Sequence, residues 1–116
     1  MTLPKAQGPY SHSIAYNGLV FVSGQIPVDP DTGDMPADIK GQTRQCITNM
    51  LAVLRDAGAA KILQITVYLT DMGDFAAVNE VYGEMILSPY PSRVCVGVSS
   101  LPKGAKIEIS AVASVS

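Results

Sequence analysis

An arginine heading a β-branched run is the first place in this 116-residue chain where chemistry can be located. In Tyr90-Pro91-Ser92-Arg93-Val94-Cys95-Val96-Gly97-Val98 the apolar residues read as a buried strand, with one guanidinium at its mouth. Arginine stays protonated in proteins and grips carboxylates through two parallel hydrogen bonds, so Arg93 is a candidate anchor for a small carboxylate ligand. The same residue could equally be a solvated strand end or half of a structural ion pair.

Other chemistries have little to work with. His12 is the only histidine, so a histidine-rich metal site or a serine–histidine relay would have to rest on it alone. The two cysteines, Cys46 and Cys95, lie far apart with no neighbouring cluster, which argues against a disulfide scaffold and against zinc. Eight Lys and Arg against ten acids give a net charge of −2, and such a field does not draw nucleic acid. The start, Met1-Thr2-Leu3-Pro4-Lys5, carries no apolar signal core, and no apolar run reaches membrane-spanning length. The expected setting is reducing and cytoplasmic, or mitochondrial in a eukaryote.

The length predicts a single domain over residues 1–116. Hydrophobic residues make up 47% and charged residues 16%, apolar enough at this size to imply surface that a second copy covers. Gly8-Pro9 opens a turn-rich lead-in. Asn17-Gly18, between Ser13–Tyr16 and Leu19–Ser23, predicts a tight β-hairpin, and extended chain continues through Gln25-Ile26-Pro27-Val28 to a turn over Asp29–Asp34. From Asp38 the period changes: Ile39, Thr43, Cys46, Ile47, Met50, Leu51, Leu54 and Ala57 predict a long amphipathic helix that stops at Gly58. A strand over Ile62–Thr70 follows, then a second helix carrying Phe75, Val78, Tyr82, Met85 and Ile86 on one face, stopped by Pro89 and Pro91. The last two strands are Arg93–Val98 and Lys106–Val115, the latter with Ile107, Ile109, Ala111 and Ala113 on one face and Glu108 and Ser110 on the other. This order predicts an α+β sandwich, one sheet with two helices on one face.

Four pieces stand in order along the chain: Gly8-Pro9-Tyr10-Ser11, Val22-Ser23-Gly24-Gln25-Ile26-Pro27, Pro91-Ser92-Arg93-Val94-Cys95-Val96 and Lys106-Ile107-Glu108-Ile109-Ser110-Ala111, with Asp74-Phe75-Ala76-Ala77-Val78-Asn79 between the second and third. Together they resemble the RidA/YjgF family of reactive-intermediate deaminases, whose older members carry the label endoribonuclease L-PSP. The resemblance implies a chorismate-mutase-like fold, with a mixed sheet, and a homotrimer whose sheets form a central barrel with ligand clefts between subunits. It implies hydrolysis of 2-imino acids, derived from 2-aminoacrylate or 2-aminocrotonate, to 2-keto acids and ammonia, without cofactor or metal.

By position, Arg93 resembles the family arginine that holds the substrate carboxylate, and Glu108 the glutamate that positions the attacking water. The backbone carbonyl of Cys95 resembles the one sharing that task, while Tyr10, Ser23, Gly24 and Asn79 match cleft-lining positions. His12 stands where many relatives have glutamine and is expected at the surface or an interface; Cys46 is expected in the core. The chain departs from the family pattern in having almost no strand before Gly8 and in shorter connections over residues 58–65 and 82–93. Two other functions stay open at this level: an endoribonuclease that inhibits translation, which the acidic balance disfavours, and a non-catalytic sensor of small carboxylates.

Overall fold

A computed structural model describes residues 2–116 of the chain. Asn17 and Gly18 take φ values of 51° and 79°, the positive pair a two-residue hairpin needs, and join β1 (Ser13–Tyr16) to β2 (Leu19–Gln25). Ahead of β1, residues 2–12 form no strand.

β2 carries a bulge. Val22 pairs with Ala111 and Gln25 with Ile109, so Ser23 and Gly24 together oppose the single position between them on the partner. After Gln25 the chain leaves the ladder rather than extending it, and Ile26 and Val28 pack with Ala105, Met35 and Leu101 in a small cluster of their own. The predicted turn forms there, closed by Gly33 N–H donating to the Asp29 carbonyl (2.8 Å).

The first helix, α1 (Ile39–Asp56), ends as its sequence requires. Gly58 sits at φ +73°, its N–H donates to the Arg55 carbonyl and that of Ala59 to the Leu54 carbonyl, the pair of bonds that satisfies the last carbonyls of a helix. Asp38 occupies the N-cap in extended geometry without a side-chain capping bond. α1 also buries two polar residues that its apolar period hides. Gln42 donates to the Pro36 carbonyl (2.9 Å) and accepts from the Lys106 N–H (2.8 Å). Asn49 donates to the carbonyls of Ile26 (3.1 Å) and Val28 (2.9 Å) and accepts from Gln45.

The remaining elements are β3 (Lys61–Leu69), a 3₁₀ turn over Met72–Asp74, α2 (Phe75–Met85), β4 (Ser92–Gly97), a second 3₁₀ turn over Pro102–Gly104, and β5 (Ile107–Ser114). The strands form one mixed sheet in the order β1-β2-β5-β3-β4, antiparallel except for β3 and β4. Those two run parallel because α2 crosses between them. Cys46, Ile47, Met50 and Val53 of α1, with Val78 and Tyr82 of α2, pack on Val20, Val22, Ile65, Val67, Leu69, Ile107, Ile109, Ala111 and Ala113. Both helices therefore cover one face of the sheet.

The other face has no helix. Register places Ile14, Phe21, Val94 and Val96 there, and all four are exposed. This corrects the reading of the segment around Arg93 as a buried strand: β4 is a sheet edge, with Val94 45% and Val96 38% exposed. β-branched composition records a fit to a pleated surface; burial depends on what lies across it. No helix among the described residues is long and apolar enough to cross a membrane.

Asn49 ties the loop beyond β2 to α1, which makes it the polar residue on which this corner depends. Asn49→Ala is expected to destabilise the protein by about 1–3 kcal/mol, the cost of one buried carbonyl left unpaired: that of Val28 loses its donor, while that of Ile26 keeps the Val28 N–H (2.9 Å). Thr48→Ala, one residue away on the outer side of α1, should change stability by less than about 0.5 kcal/mol. Urea denaturation of the two variants checks the contrast.

Candidate functional site

The pleat decides where Arg93 points. Arg93 pairs with Ile65 and Cys95 with Val67, so both side chains fall on the face that the helices cover. There the Arg93 guanidinium meets α2. Its Nη1 donates to Asn79 Oδ1 at 2.8 Å, and its centre lies 4.8 Å from the Tyr82 ring centroid and 5.5 Å from that of Phe75. Phe75, Asn79 and Tyr82 are spaced four and three apart, so one stripe of α2 presents all three.

Beside the guanidinium opens a cavity of about 370 Å³ lined by Asn79, Tyr82, Gly83, Tyr90, Pro91 and Arg93. No carboxylate pairs with Arg93 among the described residues; the ion pairs between side chains are Lys40–Glu80 (2.7 Å) and Arg44–Glu84 (3.5 Å), on the outside of the helices. A neutral amide and two aromatic faces hold the cation without cancelling its charge, and donors beyond the one given to Asn79 remain for an anion.

Glu108 lies on the opposite face. It stands across from Tyr68 in the ladder, between the inward-facing Ile107 and Ile109. Its carboxylate rests against the bulge in β2, where a Cβ on Gly24 would lie 2.7 Å from Glu108 Cδ; a larger residue at that position would push the Glu108 carboxylate aside. Partial burial pushes the Glu108 carboxyl above the ordinary glutamate range. Glu108 forms no ion pair with Lys103 or Lys106.

A second cavity, about 350 Å³, is lined by Gln7, Tyr10, Ser23, Gly24, Pro102 and Glu108. The bulge also anchors the lead-in: Ser23 Oγ donates to the Ser11 carbonyl (2.6 Å) and Ser23 N–H to the His12 carbonyl (2.9 Å). Tyr10 stands edge-on to His12 with ring centroids 6.5 Å apart, and its hydroxyl accepts from the Gln7 N–H.

The predicted site residues thus fall into two groups. Arg93 and Asn79 meet on the helix side, while Tyr10, Ser23, Gly24 and Glu108 meet on the open side, and within one chain the sheet stands between them. Cys95 lies in the Arg93 strand with its thiol half-buried against the core, and burial raises its pKa against the opposing effect of Arg93. Cys46 is a core thiol that donates to the carbonyls of Gln25 (3.3 Å) and Ile107 (3.6 Å). His12 is half-buried, and its Nδ1 finds no partner. Sequence reasoning missed Tyr90, Pro91, Gln7 and Pro102 and treated Phe75 and Tyr82 as core alone. The spacing of Phe75, Asn79 and Tyr82 was the available signal that the aromatic pair shares a stripe with a site residue.

Residues 1–115 match the family described as Endoribonuclease L-PSP. A RutC family protein of Sinorhizobium fredii is 50% identical over 115 residues, covering 97% of this chain and 91% of that protein. TdcF of Escherichia coli, named as a reactive intermediate deaminase, is 44% identical over 115 residues, covering 95% of this chain and 89% of its own length. A crystal structure of E. coli TdcF with bound serine superposes with a TM-score of 0.91 at 43% identity, covering 98% of this chain and 94% of that one. RidA from the Antarctic bacterium Psychrobacter sp. superposes at 0.94 with 36% identity, covering 97% and 94%.

The raised carboxyl of Glu108 carries a sign for stability. A folded state that holds this proton more tightly than the unfolded chain loses stability as pH rises from the ordinary glutamate range through the raised folded value; below that range nothing is lost. Glu108→Gln removes the effect. Thermal denaturation is expected to give the variant a higher Tm than the parent at about pH 7 and an equal one near about pH 3, below the ordinary glutamate pKa of about 4.3.

Proposed function

The chain belongs to the RidA/YjgF family, described also as Endoribonuclease L-PSP, and from that premise we propose that it hydrolyses 2-imino acids such as 2-iminobutanoate and 2-iminopropanoate to 2-keto acids and ammonia. The observation that carries the reading is the Arg93 guanidinium, seated on Asn79, Tyr82 and Phe75 beside a cavity and free of any carboxylate among the described residues. A charge kept available in this way suits the carboxylate of a small acid, held through two parallel hydrogen bonds.

The reaction asks little of the protein beyond placement. A protonated imine carbon is already electrophilic, so a water held in line attacks it without a strong base. Glu108 takes the water's proton as the C–O bond forms, with the Cys95 carbonyl as the second acceptor. The same carboxyl returns that proton to nitrogen and, as the C–N bond breaks and C=O forms, takes up the hydroxyl proton, so protonated imine and water give keto acid and ammonium. A carboxyl raised by partial burial suits both transfers. Arg93 fixes the substrate and Asn79 tethers one nitrogen of Arg93; Tyr10, Ser23 and Gly24 shape the water side. No cofactor or metal enters.

Because Arg93 and Glu108 face opposite sides of one sheet, the site we propose is shared, with Arg93 from one copy and Glu108 from the next. The exposed apolar residues Ile14, Phe21, Val94 and Val96 give those copies a surface to join. A homotrimer with the open sheet faces lining a central barrel is the assembly that the family implies. The reading as a carboxylate sensor has one favouring observation, the serine bound to the relative TdcF. It predicts binding without turnover. The ribonuclease reading rests on the family description, and a net charge of −2 weighs against it.

Two measurements test the proposal. With 2-iminobutanoate generated by a threonine dehydratase and trapped by semicarbazide, the protein should suppress the trapped derivative, Arg93→Ala should abolish suppression, and Arg93→Lys should weaken it at least about tenfold. Binding with no suppression would select the sensor. Coexpressed Arg93→Ala and Glu108→Gln chains, each inactive alone, should regain roughly a quarter of the parental activity if each site draws one residue from each of two copies. Failure to regain any activity would count against the shared site.

A further inference from the structure

The Arg93 site contains a residue that the imine chemistry does not use. Tyr82 is 6% exposed, and its hydroxyl is buried with no hydrogen-bond partner. A core hydroxyl left unpaired is a liability, and this one ties Tyr82 to nothing. What the residue does offer is its ring, 4.8 Å from the Arg93 guanidinium and closer than the ring of Phe75 at 5.5 Å.

Arg93 otherwise has a single side-chain hydrogen bond, the one to Asn79. One bond at one nitrogen leaves the guanidinium plane free to swing about it, and a long side chain at an exposed sheet edge has many rotamers to explore. A ring face beneath the cation removes that freedom. It does so without introducing a competing negative charge, as an aspartate or glutamate would.

We propose that Tyr82 is a positioning residue for carboxylate recognition: its ring holds the Arg93 plane in the orientation that receives both carboxylate oxygens, and its hydroxyl takes no part. The inference rests on Arg93 being the anchor of the proposed function and goes beyond it in assigning the orientation of that anchor to one aromatic face. Binding energy spent on orienting the anchor is the same for substrate and transition state, so the loss falls on KM rather than on kcat.

The test compares three variants by kinetics with 2-iminobutanoate and by calorimetric binding of 2-oxobutanoate, the stable product. Tyr82→Leu, which keeps an apolar core residue but removes the ring, should raise KM and the product Kd about tenfold with kcat within about threefold. Tyr82→Phe should rescue both constants to within about threefold of the parent and melt no lower. Val78→Ala removes buried volume from the same helix without touching Arg93, so it should lower Tm with no rise in KM or Kd. Tyr82→Leu with parental constants, or Tyr82→Phe as poor as Tyr82→Leu, would overturn the assignment, and so would a Val78→Ala protein sharing the same loss. A wild-type protein that binds 2-oxobutanoate but hydrolyses no imine would defeat the enzymatic reading alone, and the binding series then decides the role of Tyr82. Absence of any binding defeats both.

Discussion

A strand sends neighbouring side chains to opposite faces, and this sheet is closed on one face and open on the other. Everything else about the molecule follows from how its residues are dealt between those faces. The inward set of β5, from Ile107 to Ala113, builds the core with α1 and α2 and admits no charge. Glu108, one step out of phase, is thereby delivered to the open side, where the bulge in β2 leaves it room. Arg93 is in phase with the core and escapes burial only because β4 is the last strand, where the helix layer thins and α2 can offer Asn79, Tyr82 and Phe75 in place of aliphatic packing.

The electrostatics of the two clusters are complementary. On one side a permanent cation is held by a neutral amide and aromatic faces, so its field reaches into the adjoining cavity undiminished by a fixed counter-charge. On the other side a carboxyl sits half-buried, its proton affinity raised by the loss of water and left without a cationic neighbour. Each is an unbalanced group that a protein built only for stability would pair or expel. Unbalanced groups beside cavities are where ligand chemistry is expected.

Much of this was legible in the chain. The change of period at Asp38, the Asn17-Gly18 turn and the stop at Gly58 each express a local conformational preference, and the elements formed where those preferences placed them, within a residue or two. The out-of-phase position of Glu108 in its strand was legible for the same reason. Which face Arg93 would share, and with whom, was not, because that depends on strand order and on α2 arriving from elsewhere. Gln42 and Asn49 look like lapses in an amphipathic pattern until their partners appear: the carbonyls of Ile26, Val28 and Pro36 and the N–H of Lys106, groups with no side-chain signature to read. Tyr82 falls on an apolar stripe, and periodicity cannot distinguish a ring that fills a core from a ring that underlies a cation. The edge position of β4 escaped notice because valine-rich runs look alike whether or not another layer covers them.

The bulge in β2 has an architectural consequence of its own. In a regular ladder one residue would face Ser110, and the chain would have to choose between a hydroxyl to moor the N-terminal segment and a notch to admit a carboxylate. By spending two residues on one rung it has both, and the inward phase of Val20, Val22 and Gln25 continues on either side as though nothing had been inserted. The rim is thereby uncoupled from the interior: its shape and polarity can vary through substitutions at that rung while the layer beneath keeps its packing.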